Sequence, residues 1–121
     1  MRTWSWQAPS PEAVGERGRN IVIIVIGSVT VRSEGLEEAL RLSQQHVDRS
    51  RREPGCISHG VHIDNEDPNR LVFVERWEGM EHLEQHFRAP ASGQFIEEIT
   101  GLAACAPQMD IYHSSAVGVP G

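Results

Sequence analysis

Several histidine, acidic and aromatic side chains lie on predicted strands of this 121-residue chain, where they could do chemistry. Residues 56–64 alternate as a strand that places His62 opposite the apolar Ile57, Val61 and Ile63. His62 could therefore point into a pocket and act as a base there, because imidazole titrates near neutral pH. The alternative is that His62 is an ordinary strand histidine without a catalytic role.

A second predicted strand, residues 71–77, supplies the matching pocket walls. Phe73 and Trp77 share one face and could enclose a planar ring, although Trp77 could equally be a core residue. Glu75 lies on the same face and would orient a histidine or bind a ligand hydroxyl, or pair with an arginine if that face is exposed. Arg76, on the opposite face, is expected to form salt bridges between subunits, and His59 is expected to be structural or interfacial.

A metal site is not expected. His82 and His86 are four residues apart on a predicted helix and could share an ion, but a protein site needs a third ligand. The segment between them does not match the zinc-protease pattern. His86 alone could line the mouth of the pocket.

The composition excludes several classes of function. All eleven basic residues are arginine, so Schiff-base chemistry, pyridoxal phosphate attachment and a P-loop are excluded. Any anion site must use arginine, histidine or backbone amides. Seventeen acidic residues give a net charge of −6, which argues against nucleic acid as a partner.

The compartment is expected to be the cytoplasm, without membrane association. The longest apolar run, residues 21–26, is too short to span a bilayer, and residues 1–20 lack the apolar core of a secretory signal. Cys56 and Cys105 are the only cysteines and are far apart, so a disulfide framework is not expected.

The elements that must position these side chains follow the order βαββαβ, the ferredoxin-like α+β arrangement with an antiparallel sheet. We expect an N-terminal extension over residues 1–19, one domain over 20–115 and a tail over 116–121. The extension is rich in proline and glycine, and Trp4 and Trp6 could dock on this or a neighbouring subunit. The predicted elements are strands at 20–31, 56–64, 71–77 and 108–113 and helices at 33–52, 79–88 and 91–102, with Ser33 capping the first helix.

Three consequences of this arrangement can be checked. The small Gly27 and Ser28 leave a gap in the first strand that could admit a ligand or a close-packed neighbour. A sheet covered by helices on one face needs a partner for the other, which predicts a homodimer packed sheet to sheet. The strands that follow Cys56 and Cys105 should lie at opposite edges, too far apart for a disulfide within one chain.

Several of these segments together resemble the antibiotic biosynthesis monooxygenase family. The matching motifs are Glu53-Pro54-Gly55-Cys56, the turn over residues 64–68 and the strand end over residues 73–78, with Leu83, His86 and Phe95 extending the match. The resemblance covers residues 21–113 and implies a dimeric α+β barrel. Family members include cofactor-independent monooxygenases that act on quinols and polyketide anthrones, haem-degrading enzymes and an isomerase of a sugar phosphate.

The resemblance also assigns residues. In the anthrone monooxygenases an active-site histidine lies on the second strand and a tryptophan ends the third, which correspond to His62 and Trp77 here. Phe73 and Leu83 stand where those enzymes carry polar residues, which weighs against an anthrone substrate. We expect Phe73, Glu75, Leu83, His86 and Phe95 to bind substrate. The resemblance puts Gly27 and Gln85 at the positions of haem-degrading residues, which disfavours haem degradation.

The leading hypothesis is therefore a dimeric monooxygenase-like protein that oxidises a small aromatic quinol, phenol or polyketide-type substrate with dioxygen. It would use no flavin, haem or metal, with His62 as base and Trp77 and Phe73 as walls. A dimer that binds a small ligand without turnover and an isomerase of a small phosphorylated metabolite remain open. The isomerase requires an arginine or histidine directed into the pocket.

Overall fold

Four strands form one antiparallel sheet in the order β2-β3-β1-β4 in the computed structural model, which describes residues 21–121. The strands are β1 (Val22–Thr30), β2 (Cys56–Asp64), β3 (Asp67–Trp77) and β4 (Gln108–Ser114), and the helices are α1 (Leu36–Ser50), α2 (Met80–Arg88) and α3 (Pro90–Leu102). The expected extension with Trp4 and Trp6 lies outside the described residues. The order of elements confirms the ferredoxin-like α+β fold.

The helices cover one face of the sheet because apolar residues alternate along its strands. Ile23, Val25 and Val29 of β1 are buried on this face, and Leu71 and Phe73 of β3 lie beside them. Within residues 21–121, no helix has the length and apolar content needed to cross a bilayer.

The core beneath the helices is divided into two apolar clusters. The larger joins β1, α1, β3 and α3 around Val47, Leu71 and Phe95. The smaller consists of Ile23, Val25, Trp77 and Leu83. Phe73, Phe95 and Ile99 of the larger cluster also form part of the wall of a cavity.

Two local features differ from the sequence expectations. β3 begins at Asp67, four residues earlier than predicted, because the turn is shortened to two residues and Asp64 accepts the backbone N–H of Glu66 at 2.8 Å. Ser33 does not cap α1: it lies in a 3₁₀ turn, and its hydroxyl accepts a hydrogen bond from the Asn69 amide at 3.0 Å.

Among residues 21–121, no helix covers the other face of the sheet. Its central positions are Ile26 and Val74, which are paired across β1 and β3. Val72 lies on the same face of β3, Tyr112 of β4 is paired with Ile24, and Asp110 of β4 is paired with Ile26. Ile26 and Tyr112 are 37% and 51% exposed. This open face is therefore apolar at its centre.

The two cysteines are free and lie next to opposite edges of the sheet. Cys56 begins β2, and Cys105 precedes β4. Since β2 and β4 are the two edge strands, the predicted separation is confirmed.

The Glu53-Pro54-Gly55 turn joins α1 to β2 and requires glycine at its last position. Gly55 has φ +80°, and a Cβ at this residue would lie 2.1 Å from Cγ of His82. Its carbonyl also accepts the backbone N–H of Glu78 at 2.8 Å. The turn is thereby attached to the segment that leads into α2.

We expect Gly55→Ala to lower the free energy of unfolding by about 1–3 kcal/mol, because the left-handed conformation is strained for alanine. Chemical denaturation measures the effect. Gly93→Ala is the matched control: Gly93 lies inside α3 with open space around it, so alanine should stabilise the helix by about 0.5–1 kcal/mol. Equal effects of the two substitutions would contradict the role given to Gly55.

Candidate active site

A cavity of about 70 Å³ lies between the sheet and helices α2 and α3. Most of its wall is apolar, with Phe73, Phe95 and Ile99 on the inner side. Gly27 and Ser28 also line it, so the gap predicted in the first strand is present beside a cavity. The volume admits several water molecules or part of a small ring.

The solvent side of the cavity is formed by more exposed residues. Phe87 of α2, Ile96 of α3 and Met109 of β4 line it and are 40%, 49% and 45% exposed. These three side chains form the mouth through which a ligand would enter.

His86 is the polar group best prepared to accept a proton in this cavity. It lines the cavity from α2, its side chain is 2% exposed, and its Nδ1 lies 2.6 Å from Oε1 of Glu53. The carboxylate can only accept, so Nδ1 carries the proton and Nε2 keeps its lone pair. A carboxylate partner of this kind fixes the tautomer and the orientation of the ring.

His46 of α1 is held in the opposite tautomer. Its Nδ1 lies 2.5 Å from a guanidinium nitrogen of Arg49, which can only donate. Nδ1 must therefore accept, and the ring proton of the neutral form is on Nε2. Burial, the neighbouring His86 and His59 rings and the charge of Arg49 lower the pKa of His46 to about 3, so it is neutral at ordinary pH.

His59 and Glu75 form a third buried pair. His59 Nε2 lies 3.4 Å from Oε2 of Glu75, and Oε1 of Glu75 accepts the indole N–H of Trp77 at 3.0 Å. Burial alone would raise the pKa of the Glu75 carboxyl, but His59 and the Trp77 N–H together hold it below its ordinary value. Neither ring nitrogen of His59 makes a hydrogen bond of good geometry within residues 21–121.

The three buried histidines are close enough to raise the question of a metal ion. One ring nitrogen from each of His46, His59 and His86 lies within 4.8 Å of the others. However, Arg49 occupies Nδ1 of His46 and leaves a proton on Nε2, so this ring offers no lone pair to a metal. Two remaining ligands are fewer than the three that protein zinc sites use, and the tautomers therefore fit proton transfer better.

Four of the residues predicted to form the site line the cavity, namely Phe73, Glu75, His86 and Phe95. Trp77 and Leu83 are fully buried in the smaller cluster and do not line it. Trp77 instead contacts the site from behind, with its ring centroid 4.8 Å from that of His86.

His62 is not where the pocket hypothesis placed it. The predicted alternation of β2 is correct near its centre, with His59 and Val61 on the helix-covered face and His62 on the other. The cavity, however, lies on the helix-covered face and is not lined by His62. His62 is exposed on the open face instead. The structure brings His59, rather than His62, toward the site.

Sequence reasoning missed His46, Ser92 and the role of Glu53. Buried positions in α1 repeat at helical spacing, and His46 falls on that inner face: Ala39, Leu42, Ser43, His46, Val47 and Ser50. Ser92 lines the cavity from the first turn of α3, and its buried hydroxyl has no hydrogen-bond partner within residues 21–121. Glu53 was assigned only to a turn, and no short-range signal pairs it with His86.

Comparison with known proteins places this geometry in a family. Residues 22–98 match the sequence profile described as antibiotic biosynthesis monooxygenase. An uncharacterised protein of Synechocystis is 34% identical over 105 residues, which cover 86% of this chain and 71% of that protein.

Solved structures share the fold. A conserved protein of Methanosarcina mazei superposes with a TM-score of 0.74 at 25% identity, covering 76% of this chain and 91% of that one. An antibiotic biosynthesis monooxygenase superposes with a TM-score of 0.73 at 21% identity, covering 78% and 99%. The chain belongs to the antibiotic biosynthesis monooxygenase family.

Proposed function

We propose that this protein oxidises a small phenol or quinol with dioxygen in the cavity between the sheet and helices α2 and α3, without flavin, haem or metal. Family membership supports a monooxygenase-like or small-molecule-binding function in general. The observation that carries the specific proposal is the buried His86, whose Nδ1 is occupied by Glu53 while the ring lines an apolar cavity.

The base in this proposal is Nε2 of His86. It takes the proton of the substrate hydroxyl, and the imidazolium formed is stabilised by Glu53 at 2.6 Å. The resulting phenolate is electron-rich and can give an electron to dioxygen. The phenoxyl radical and the superoxide formed in this step then combine. For a hydroquinone, the products are a hydroxyquinone and water, so the substrate supplies all four electrons that dioxygen needs.

The cavity walls match a flat, mainly apolar substrate. Phe73 and Phe95 pack edge to face with their centroids 5.9 Å apart, and both line the space where a ring would lie. Their burial also limits access of water to the phenolate. The volume of about 70 Å³ favours a single ring that extends toward the mouth.

The same wall argues against an isomerase of a phosphorylated metabolite. Within residues 21–121, no arginine lines this cavity, and the chain has no lysine. Of the two lining histidines, His46 is neutral at ordinary pH and His86 is already paired with Glu53, so a phosphate in the cavity would have no unpaired cationic partner among residues 21–121.

We also propose that two copies pair through the open face of the sheet. Ile26 and Val74 are neighbours at its centre, and Tyr112 extends the apolar area. An apolar face of this kind is stabilised by burial against a second copy.

We expect dioxygen uptake with single-ring hydroquinones in metal-free buffer, and His86→Asn should reduce its rate by about 100-fold or more. Asparagine can still donate to Glu53 from the position of Nδ1 but has no equivalent of Nε2. An oxygen electrode measures the rate. Normal uptake by His86→Asn together with lost uptake by His62→Asn would move the base to His62, and no uptake with any hydroquinone would contradict the proposal.

Gly27→Val should abolish uptake while leaving thermal stability unchanged or slightly higher. A Cβ at Gly27 makes only ordinary contacts, 3.6 Å from the carbonyl of Gln108 and 3.9 Å from Phe73. Since Gly27 lines the cavity, we expect the valine side chain to take up space that the substrate needs. Gly101→Ala, in open space at the end of α3, is the control. Full activity of the Gly27→Val protein would show that the reaction takes place elsewhere.

Val74→Glu should convert the dimer into monomers, since it places a charge at the centre of the open face. Light scattering after gel filtration measures the mass of each species. Val74→Thr, which keeps the shape and strand preference, should weaken the dimer much less. A Val74→Glu protein of unchanged mass would overturn the proposed interface.

A further inference from the structure

We propose that His46 is a hydrogen-bond donor that binds the ionised oxygen of the substrate, held in the donor tautomer by Arg49. This inference rests on the proposed function and gives the substrate class more narrowly: a compound with a phenolic or enolic hydroxyl. His46 and His86 then act on one oxygen in different ways.

The direction of the hydrogen bond at His46 follows from its partner. A guanidinium group has no acceptor, so the 2.5 Å contact with Arg49 requires a lone pair on Nδ1 of His46. The proton of the neutral ring is then on Nε2. Within residues 21–121 this nitrogen makes no hydrogen bond, and it is not fully buried.

The ring plane of His46 is fixed where it lines the cavity. It stacks on Phe95 with centroids 4.1 Å apart and an angle of 7° between the planes. Since rotation of the ring would break both this stacking and the Arg49 contact, the donor direction is set before a substrate arrives.

His46 also remains neutral while doing this. The charged or titratable groups that face it are Arg49 on its own helix, His59 from β2 and His86 from α2, and Phe95 from α3 adds no charge. Burial and these three neighbours lower its pKa to about 3. A neutral imidazole can therefore donate a hydrogen bond to the substrate anion without transferring its proton to that anion.

The spacing suits a single oxygen between the two rings. One nitrogen of His46 lies within 4.8 Å of one nitrogen of His86, and an oxygen about 2.8 Å from each spans that separation. His86 takes the hydroxyl proton, and His46 donates to the oxygen anion that remains. The hydroxyl of Ser92, buried and unpartnered on the cavity wall, is available to a second polar group of the ligand.

The ionisation of bound 4-nitrophenol tests this inference without turnover, because its phenolate absorbs at longer wavelength than the phenol. At a pH where free 4-nitrophenol is mostly protonated, wild-type protein should increase the phenolate fraction on binding. His46→Phe, which keeps a flat ring against Phe95 but has no donor, should lower the ratio of bound phenolate to phenol by about 10-fold or more.

Two further variants complete the experiment. His46→Gln, which can donate from nearly the same position, should restore part of the phenolate band, and His113→Phe on the exposed β4 should behave as wild type. Binding with equal ionisation by wild type and His46→Phe overturns this inference but leaves the cavity as a phenol site. Failure of wild type to bind overturns the proposed function as well.

The tautomer provides a readout that does not depend on the ligand or on folding of the variants. Long-range ¹H–¹⁵N spectra of the wild-type protein should show the proton of His46 on Nε2 and no titration of this ring between pH 5 and 9. Arg49→Leu should allow both tautomers. A proton on Nδ1 in the wild type, or an imidazolium at pH 6, overturns the inference.

Discussion

The hydrogen bond between Glu53 and His86 is the interaction on which the proposed chemistry depends. It joins the turn after α1 to α2 across 33 residues of sequence at 2.6 Å. The turn that carries Glu53 is in turn fixed by the left-handed Gly55 and by the backbone contact from Gly55 to Glu78. The same short motif therefore ends a helix, starts an edge strand and fixes the tautomer of a cavity histidine.

Burying several titratable groups beneath the helices is costly unless each has a partner. His86 has Glu53, His46 has Arg49, and Glu75 has Trp77 with His59 alongside. These pairings give the two histidines that line the cavity opposite tautomers. One ring is prepared to accept a proton and the other to donate a hydrogen bond, which is the combination that ionisation of a hydroxyl requires.

The fold was largely predictable because it depends on periodic patterns. Alternation placed β2 correctly over residues 56–64, and the βαββαβ order led to the right sheet and to the separated cysteines. The site was less predictable because it depends on which face the helices cover. The apolar side chains that fill the core also surround the cavity. The β2 histidine that contacts the cavity residues His46 and His86 is therefore His59 on the helix-covered face, whereas His62 is exposed.

Contacts between side chains that are distant in sequence could not be predicted from local sequence patterns. Helical spacing could have found His46 on the inner face of α1, but nothing local connects Glu53 with His86 or directs the unpartnered Ser92 hydroxyl toward a cavity. These contacts arise only when α2 and α3 pack on the sheet. They are also the contacts on which the proposed reaction in the cavity rests.

A crystal structure with a single-ring hydroquinone bound in the absence of oxygen tests the central claim most directly. The account predicts the ring in the cavity against Phe73 and Phe95, with one hydroxyl oxygen at hydrogen-bond distance from Nε2 of His86 while Nδ1 stays on Glu53. A hydroquinone bound on the open face beside His62, or in the cavity with neither oxygen near His86, would contradict it.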